Sequence, residues 1–163
     1  MNGRPHAERL ENNLNEIREE LTKEVLELRT EDLGWAPREG MKTYQAILQE
    51  VGTMEQLCTR WLAKTEMLSW PEVDGTLAAA ATDPASLMRA MDAIRAETLQ
   101  YLRDSTEESL ETPVDVAPDW HQYMGPTLEP EEFIRWVARH EYYHLGQIVS
   151  YRLIQGADPT AHA

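Results

Sequence analysis

The sequence predicts an all-α protein: a four-helix bundle with a long crossover connection, formed as a single domain over residues 1–163. Four segments repeat apolar residues at three- and four-residue steps, the period of one helix face. Proline and glycine punctuate the stretches between them. Glu50, His140 and His144 are directed inward from two of these segments, so a polar site is expected within the bundle.

The first segment runs from about Pro5 to Thr30. Leu10, Leu14, Ile17, Leu21, Val25 and Leu28 form its apolar stripe, and Glu11, Arg18, Glu19, Glu20, Lys23 and Glu27 are expected to cover the solvent side. Leu33-Gly34-Trp35-Ala36-Pro37 then breaks the pattern as a loop that can be pinned against the bundle. A second helix starts at Thr43, whose hydroxyl suits an N-cap, and continues to about Lys64. Its apolar face is Tyr44, Ile47, Leu48, Val51, Met54, Cys58, Trp61 and Leu62. Glu50 lies at one border of that stripe and Glu55 inside it. A carboxylate directed into a core is costly unless paired, hydrogen-bonded or bound to a metal. Either glutamate could serve a metal; alternatively Glu50 reaches water and Glu55 pairs with an arginine.

Ser69–Thr82, with Pro71, Gly75 and a run of alanines, reads as a connection crossing from one end of the molecule to the other. Asp83-Pro84 opens the third helix as an N-cap followed by proline at the first helical position; it continues to about Asp104, with Leu87, Met91, Ile94, Thr98 and Leu102 inward. From Ser105 to Glu129 the periodicity lapses. Thr112–Val116 could be extended, and Trp120, His121 and Tyr123 are candidate pocket residues on a segment long enough to form a lid or wall, with plain packing as the alternative.

The fourth helix begins near Pro130 and runs to Gln155, with Gly156 placed to end it. His140 and His144 stand one turn apart on its inner face. Imidazoles at that spacing can share one zinc, nickel or iron ion. Two hydrogen-bonded core histidines are the alternative.

Composition narrows the function. A formal charge of −14 disfavours nucleic acid and anionic membrane surfaces as partners. No apolar run approaches the roughly 20 residues of a spanning helix, and a cytoplasmic location is expected. One cysteine, Cys58, excludes an internal disulfide and a cysteine zinc cluster; on an apolar face it reads as a buried, inert thiol.

The run His140-x-x-x-His144-x-Gly146-Gln147-Ile148 resembles the signature helix of the DinB-like (DinB/YfiT) superfamily of metal-binding four-helix bundles. The resemblance extends over nearly the whole chain, through the first helix, the Leu33–Pro37 segment, the start of the second helix, the crossover and the last helix. It implies three ligands, typically all histidine, one from the second helix and two from the fourth. Counted along Thr43-Tyr44-Gln45-Ala46-Ile47-Leu48-Gln49-Glu50, the first of these falls on Glu50, where this sequence departs from histidine but keeps an oxygen donor. The implied site is Glu50, His140 and His144 around a divalent ion, zinc or nickel, with Glu55 as a supporting group or reserve ligand.

The resemblance further implies a metal-dependent transferase joining a small-molecule thiol to an electrophile in stress or detoxification chemistry, or a hydrolase, and a homodimer; it assigns no catalytic residue. A non-catalytic, possibly dimeric bundle with a structural polar core is the alternative. His140-Glu141-x-x-His144 also matches the zinc-peptidase pattern H-E-x-x-H. That reading is disfavoured, because Glu141 projects about 100° from His140. The downstream position for a third peptidase ligand is Ser150, and His162 falls in the tail.

Overall fold

The computed structural model describes residues 5–158. Its four long helices are α1 (Pro5–Leu26), α2 (Tyr44–Ala63), α4 (Pro84–Asp104) and α7 (Pro130–Ile154), and α3 (Trp70–Ala80) lies between the middle two. Between α4 and α7 come α5 (Glu107–Glu111), β1 (Val114–Asp115), α6 (His121–Met124) and β2 (Thr127–Leu128). His162 lies outside the described residues.

The long helices pack in a closed ring, α1 against α4, α4 against α2, α2 against α7 and α7 against α1. Side-chain pairings give their directions. Arg18 meets Glu141 and Glu24 meets Arg152, so α1 and α7 run parallel. Glu55 meets Arg95 and Thr59 meets Thr98, so α2 and α4 also run parallel. A parallel neighbour requires the chain to return along the bundle, which is what the 69–82 connection does.

That connection, read from the sequence only as a crossing from one end of the molecule to the other, is itself mostly helical. Ser69 and Glu72 form a capping box in which Glu72 Oε2 accepts from the Ser69 backbone N–H at 2.7 Å, and Pro71 falls in the first turn, where its missing N–H has no cost. Val73 and Leu77 bury against the core. Leu77 reaches so close to α2 that a β-carbon at Gly52 would stand 2.8 Å from its Cδ1; the close approach of α3 depends on that glycine.

The remaining boundaries follow local chemistry. The first helix stops at Leu26, short of the expected Thr30, and a 3₁₀ turn follows over Thr30–Gly34, capped by Asp32 accepting from the Arg29 backbone N–H. Thr43 accepts from Ala46 N at 3.1 Å and Asp83 from Ser86 N at 2.8 Å, as N-caps should. Gly156, at φ 90°, closes α7 in the left-handed conformation that glycine adopts without strain. The extended piece expected near Val114 pairs antiparallel with β2, Val114 opposite Leu128 and Asp115 opposite Thr127.

The apolar interior is divided in two. One cluster includes Leu21, Val25, Ile47, Leu48, Met91 and Ile148; the other includes Leu10, Leu14, Cys58, Leu62, Phe133 and Ile134. Between them lies a layer of charge contributed by all four long helices. Arg95 is 4% exposed and donates through Nε and Nη2 to the two oxygens of Glu55, at 2.6 and 3.1 Å, and through Nη2 also to Glu141. Arg18, 6% exposed, donates to Glu141 at 2.6 Å, Glu55 at 3.0 Å and Asp92 at 3.0 Å. Thr98 adds a fourth donor to Glu55 at 2.8 Å. Arg18 is therefore not on the solvent face where its neighbours in sequence would place it.

Candidate metal centre

The seam between α2 and α7 carries the site. Thr43 starts α2 so that Glu50 falls on the side of the helix turned to α7, and the unbroken run of α7 sets His140 and His144 one turn apart facing it. Glu50 Oε1 is 4.0 Å from His140 Nε2, Glu50 Oε2 is 3.8 Å from His144 Nε2, and the two Nε2 atoms are 3.2 Å apart. Among the described residues this is the one His, Cys, Asp or Glu grouping whose donor atoms converge tightly enough for an ion.

The donor set fits a divalent metal. A tetrahedral ion with bonds of about 2.0–2.1 Å sets its ligand atoms about 3.3 Å apart. The imidazole pair already has that separation, and the carboxylate has to close by only about half an ångström. The tautomer is suitable too. His144 Nδ1 stands 2.6 Å from Gln147 Oε1. An amide oxygen only accepts, so Nδ1 carries the proton and the Nε2 lone pair points at the site, the orientation that hydrogen-bond partners impose on ligating histidines. His140 is held by stacking on Trp136, ring centres 5.2 Å apart and 10° between planes.

Electrostatics keeps both rings available as ligands. Burial, and then the neighbouring His144, lowers the His140 pKa to about 4; burial also lowers that of His144, against the opposing pull of Gln147 and Glu50. Both are neutral at pH 7, the form that binds a cation. Lys42 donates to Glu50 from the solvent side. Its side chain is 55% exposed, so it can withdraw and release the oxygen.

Two cavities meet at the site and share Glu50 and His140. One, of about 490 Å³, is lined also by Met41, Lys42, Tyr143, His144, Gln147 and Tyr151. The other, of about 390 Å³, is lined by Met54, Trp70, Trp120, Tyr123, Met124 and Trp136. Of the three pocket candidates between α4 and α7, Trp120 and Tyr123 form walls here. Trp120 also packs edge-on against Trp61, so packing and lining are both its work. His121 instead bonds the Val116 carbonyl at 2.9 Å and is absent from the lining.

Glu55 does not join the histidines. Its carboxylate is occupied by Arg18, Arg95 and Thr98, and although burial pushes its pKa up, Arg95 and Arg18 outweigh this and hold it below the ordinary glutamate value. The reserve-ligand reading gives way to the arginine pairing. Glu141 is likewise buried between Arg18 and Arg95. It cannot reach a water beside His140, and the peptidase reading of the H-E-x-x-H run fails on that contact. Sequence reasoning missed Arg18, Arg95 and Glu141 as interior groups. The available signal was their spacing from Leu14 and Leu21, from Met91 and Thr98, and from Val137 and Ile148, which puts each on its helix's apolar face.

Among the described residues no helix is long and apolar enough to cross a membrane. No curated protein matches the sequence. The fold is similar to that in the crystal structure of a conserved protein from Enterococcus faecalis, with a TM-score of 0.72 over 92% of this chain and 97% of that one at 14% identity. The family model of the DinB superfamily matches residues 13–148.

Proposed function

Because the chain belongs to the DinB superfamily, we propose that Glu50, His140 and His144 hold a divalent ion, zinc or nickel, and that the protein is a metal-dependent transferase joining a low-molecular-weight thiol to a small electrophile. The observation that carries the reading is the convergence of one carboxylate and two neutral imidazoles at the junction of two open cavities. Three protein ligands leave a coordination position free. A divalent ion there would supply a Lewis acid that favours the thiolate over the thiol at neutral pH.

The protein groups have separable tasks. Gln147 fixes His144, Trp136 fixes His140, and Lys42 supplies a cation beside the first cavity that suits a carboxylate on the thiol compound. In the transfer the thiol proton leaves to solvent, sulfur forms a bond to the electrophilic carbon, and the displaced group departs with the bonding pair. The test is conjugation of cysteine, as a minimal carboxylate-bearing thiol, to an aryl halide by metal-loaded protein. Activity that requires the metal and disappears in His144→Ala supports the transferase. Conjugation at the uncatalysed rate with metal demonstrably bound would overturn it.

A homodimer forms part of the same proposal. Tyr142, Gly146, Val149 and Leu153 recur along one side of α7, where Tyr142 and Leu153 are exposed, and Leu26 is exposed on the neighbouring α1. An apolar stripe of that kind suits a second copy. Light scattering should give twice the chain mass, reduced to the monomer by Leu153→Glu; a monomeric parent protein would remove the dimer without touching the metal site.

A further inference from the structure

The two cavities that meet at Glu50 and His140 differ in the side chains they offer. The larger, although mostly apolar in its lining, carries a cation and an amide, Lys42 and Gln147, beside Tyr143. The smaller is walled by three tryptophans, Trp70, Trp120 and Trp136, with Tyr123, Met54 and Met124, and has no lysine or arginine in its lining. Its volume, about 390 Å³, is within the range of small-molecule sites, about 300–1,000 Å³. Aromatic rings at a surface are ordinarily covered, yet Tyr123 is 72% exposed and Trp70 39% exposed at this cavity. Both rings line the cavity and leave part of their surface open to an occupant.

The walls are held in place. Trp120 packs edge-on against Trp61 at 6.4 Å, and Trp61 in turn donates from its indole N–H to the Asp115 carbonyl at 2.7 Å. Trp136 stacks on His140. Trp120 thus has a backed ring available to a ligand, and the cavity reaches the metal-site residues through Glu50 and His140.

Charge decides which ligand. An anion would enter a chamber with no cationic lining, in a protein of formal charge −14. A cation would find the one acidic group lining the chamber, Glu50, engaged by Lys42, and would rest on the ring faces alone, at a desolvation cost that a neutral ring does not meet. An uncharged flat ring has the tryptophan faces and the polarizable methionine sulfurs, and meets no desolvation penalty for a charge.

We propose that the tryptophan-lined chamber is a binding subsite for an uncharged planar aromatic group, which the protein presents to the metal-site residues as the electrophilic partner of a thiol held on the Lys42 side. The subsite's role as the electrophile pocket rests on the transferase reading; its affinity for a neutral aromatic does not.

The experiment is equilibrium dialysis at pH 7 with three probes of one ring system: 1-naphthalenemethanol, 1-naphthoate and 1-naphthylmethylammonium. It is run on metal-loaded and on chelator-stripped protein. The neutral alcohol should bind at least about tenfold more tightly than either ion, in both preparations, and about tenfold more weakly to Trp120→Ala. Trp120→Ala removes a ring that also packs on Trp61, so Tyr123→Arg is the second variant. That position is open to solvent, and the added guanidinium should raise naphthoate affinity about tenfold. Equal binding of all three probes, no binding, or binding unchanged in both variants would overturn the subsite. Binding as described without metal-dependent conjugation would retain the subsite and overturn only the transferase.

Discussion

Arg95→Met tests the charged layer that divides the core. Arg95 gives three hydrogen bonds to Glu55 and Glu141, and a fourth to the Leu14 carbonyl at 2.5 Å. Methionine keeps the apolar stem and removes the charge. Glu55 and Glu141, each 1% exposed, are then left to share Arg18. Removing one partner from a buried ion pair costs about 3–5 kcal/mol, against a total stability of about 5–15 kcal/mol for a folded domain. At about 2–4 °C per kcal/mol for a chain of this size, the melting temperature of metal-free protein should fall by about 6–20 °C. Thermal and urea unfolding followed by circular dichroism at pH 7 measure it. Adding Glu55→Gln to Arg95→Met neutralises one stranded carboxylate and should recover part of the loss. A single variant within about 1 kcal/mol of the parent, or a double variant worse than the single, would refute the reasoning that these four side chains act as one buried, mutually compensating group.

Three further outcomes follow from the same contacts. Gln147→Leu should weaken metal affinity about 10–100-fold while leaving the fold intact, because the His144 tautomer loses its orienting acceptor; competition with a chromophoric chelator reads it. Glu55 has a folded-state pKa below its unfolded value, so its stabilising contribution is complete above about pH 4.3 and is lost as pH falls through the lower, folded value. The stability gap between metal-free parent and Glu55→Gln should accordingly be widest near neutrality and narrow in acid, and a gap that widens in acid would reverse the sign. Burial, and then Glu55, pushes the Cys58 thiol up, so a disulfide reagent at pH 7–8 should label it only as fast as the protein unfolds, and denaturant should abolish the protection.

The helices that build the site were legible because their signals are local. Thr43 as N-cap fixes where Glu50 falls on α2, Gly156 ends α7, and the four-residue spacing of His140 and His144 survives any error at the helix ends. The layout of the crossover was legible in direction and not in form. Alanine-rich sequence with Pro71 and Gly75 lacks a broad apolar stripe, and what makes α3 helical is its capping box and two buried side chains. The charged layer was illegible for a different reason. Spacing sets Arg18, Arg95 and Glu141 on the apolar faces of their own helices, but a charge there reads as a cost until its partners are known, and each is tolerated inside only because the others arrive from elsewhere in the chain. Glu55 alone stood out, and its two possible partners, a metal or an arginine, could be separated only by tertiary structure. The aromatic chamber has the same character: Trp70, Trp120 and Trp136 are scattered over three segments and meet only where α3, the α4–α7 connection and α7 converge on the α2–α7 seam.

The most direct test of the metal centre is elemental analysis of protein purified without a histidine tag, reloaded with zinc or nickel and freed of excess ion, beside Glu50→Ala and His144→Ala variants whose folding is verified by circular dichroism. The expected result is about one divalent ion per parent chain and a large loss in both folded variants. A parent chain that retains no metal after reloading, or folded variants that retain as much as the parent, would contradict the assignment of Glu50, His140 and His144 as ligands.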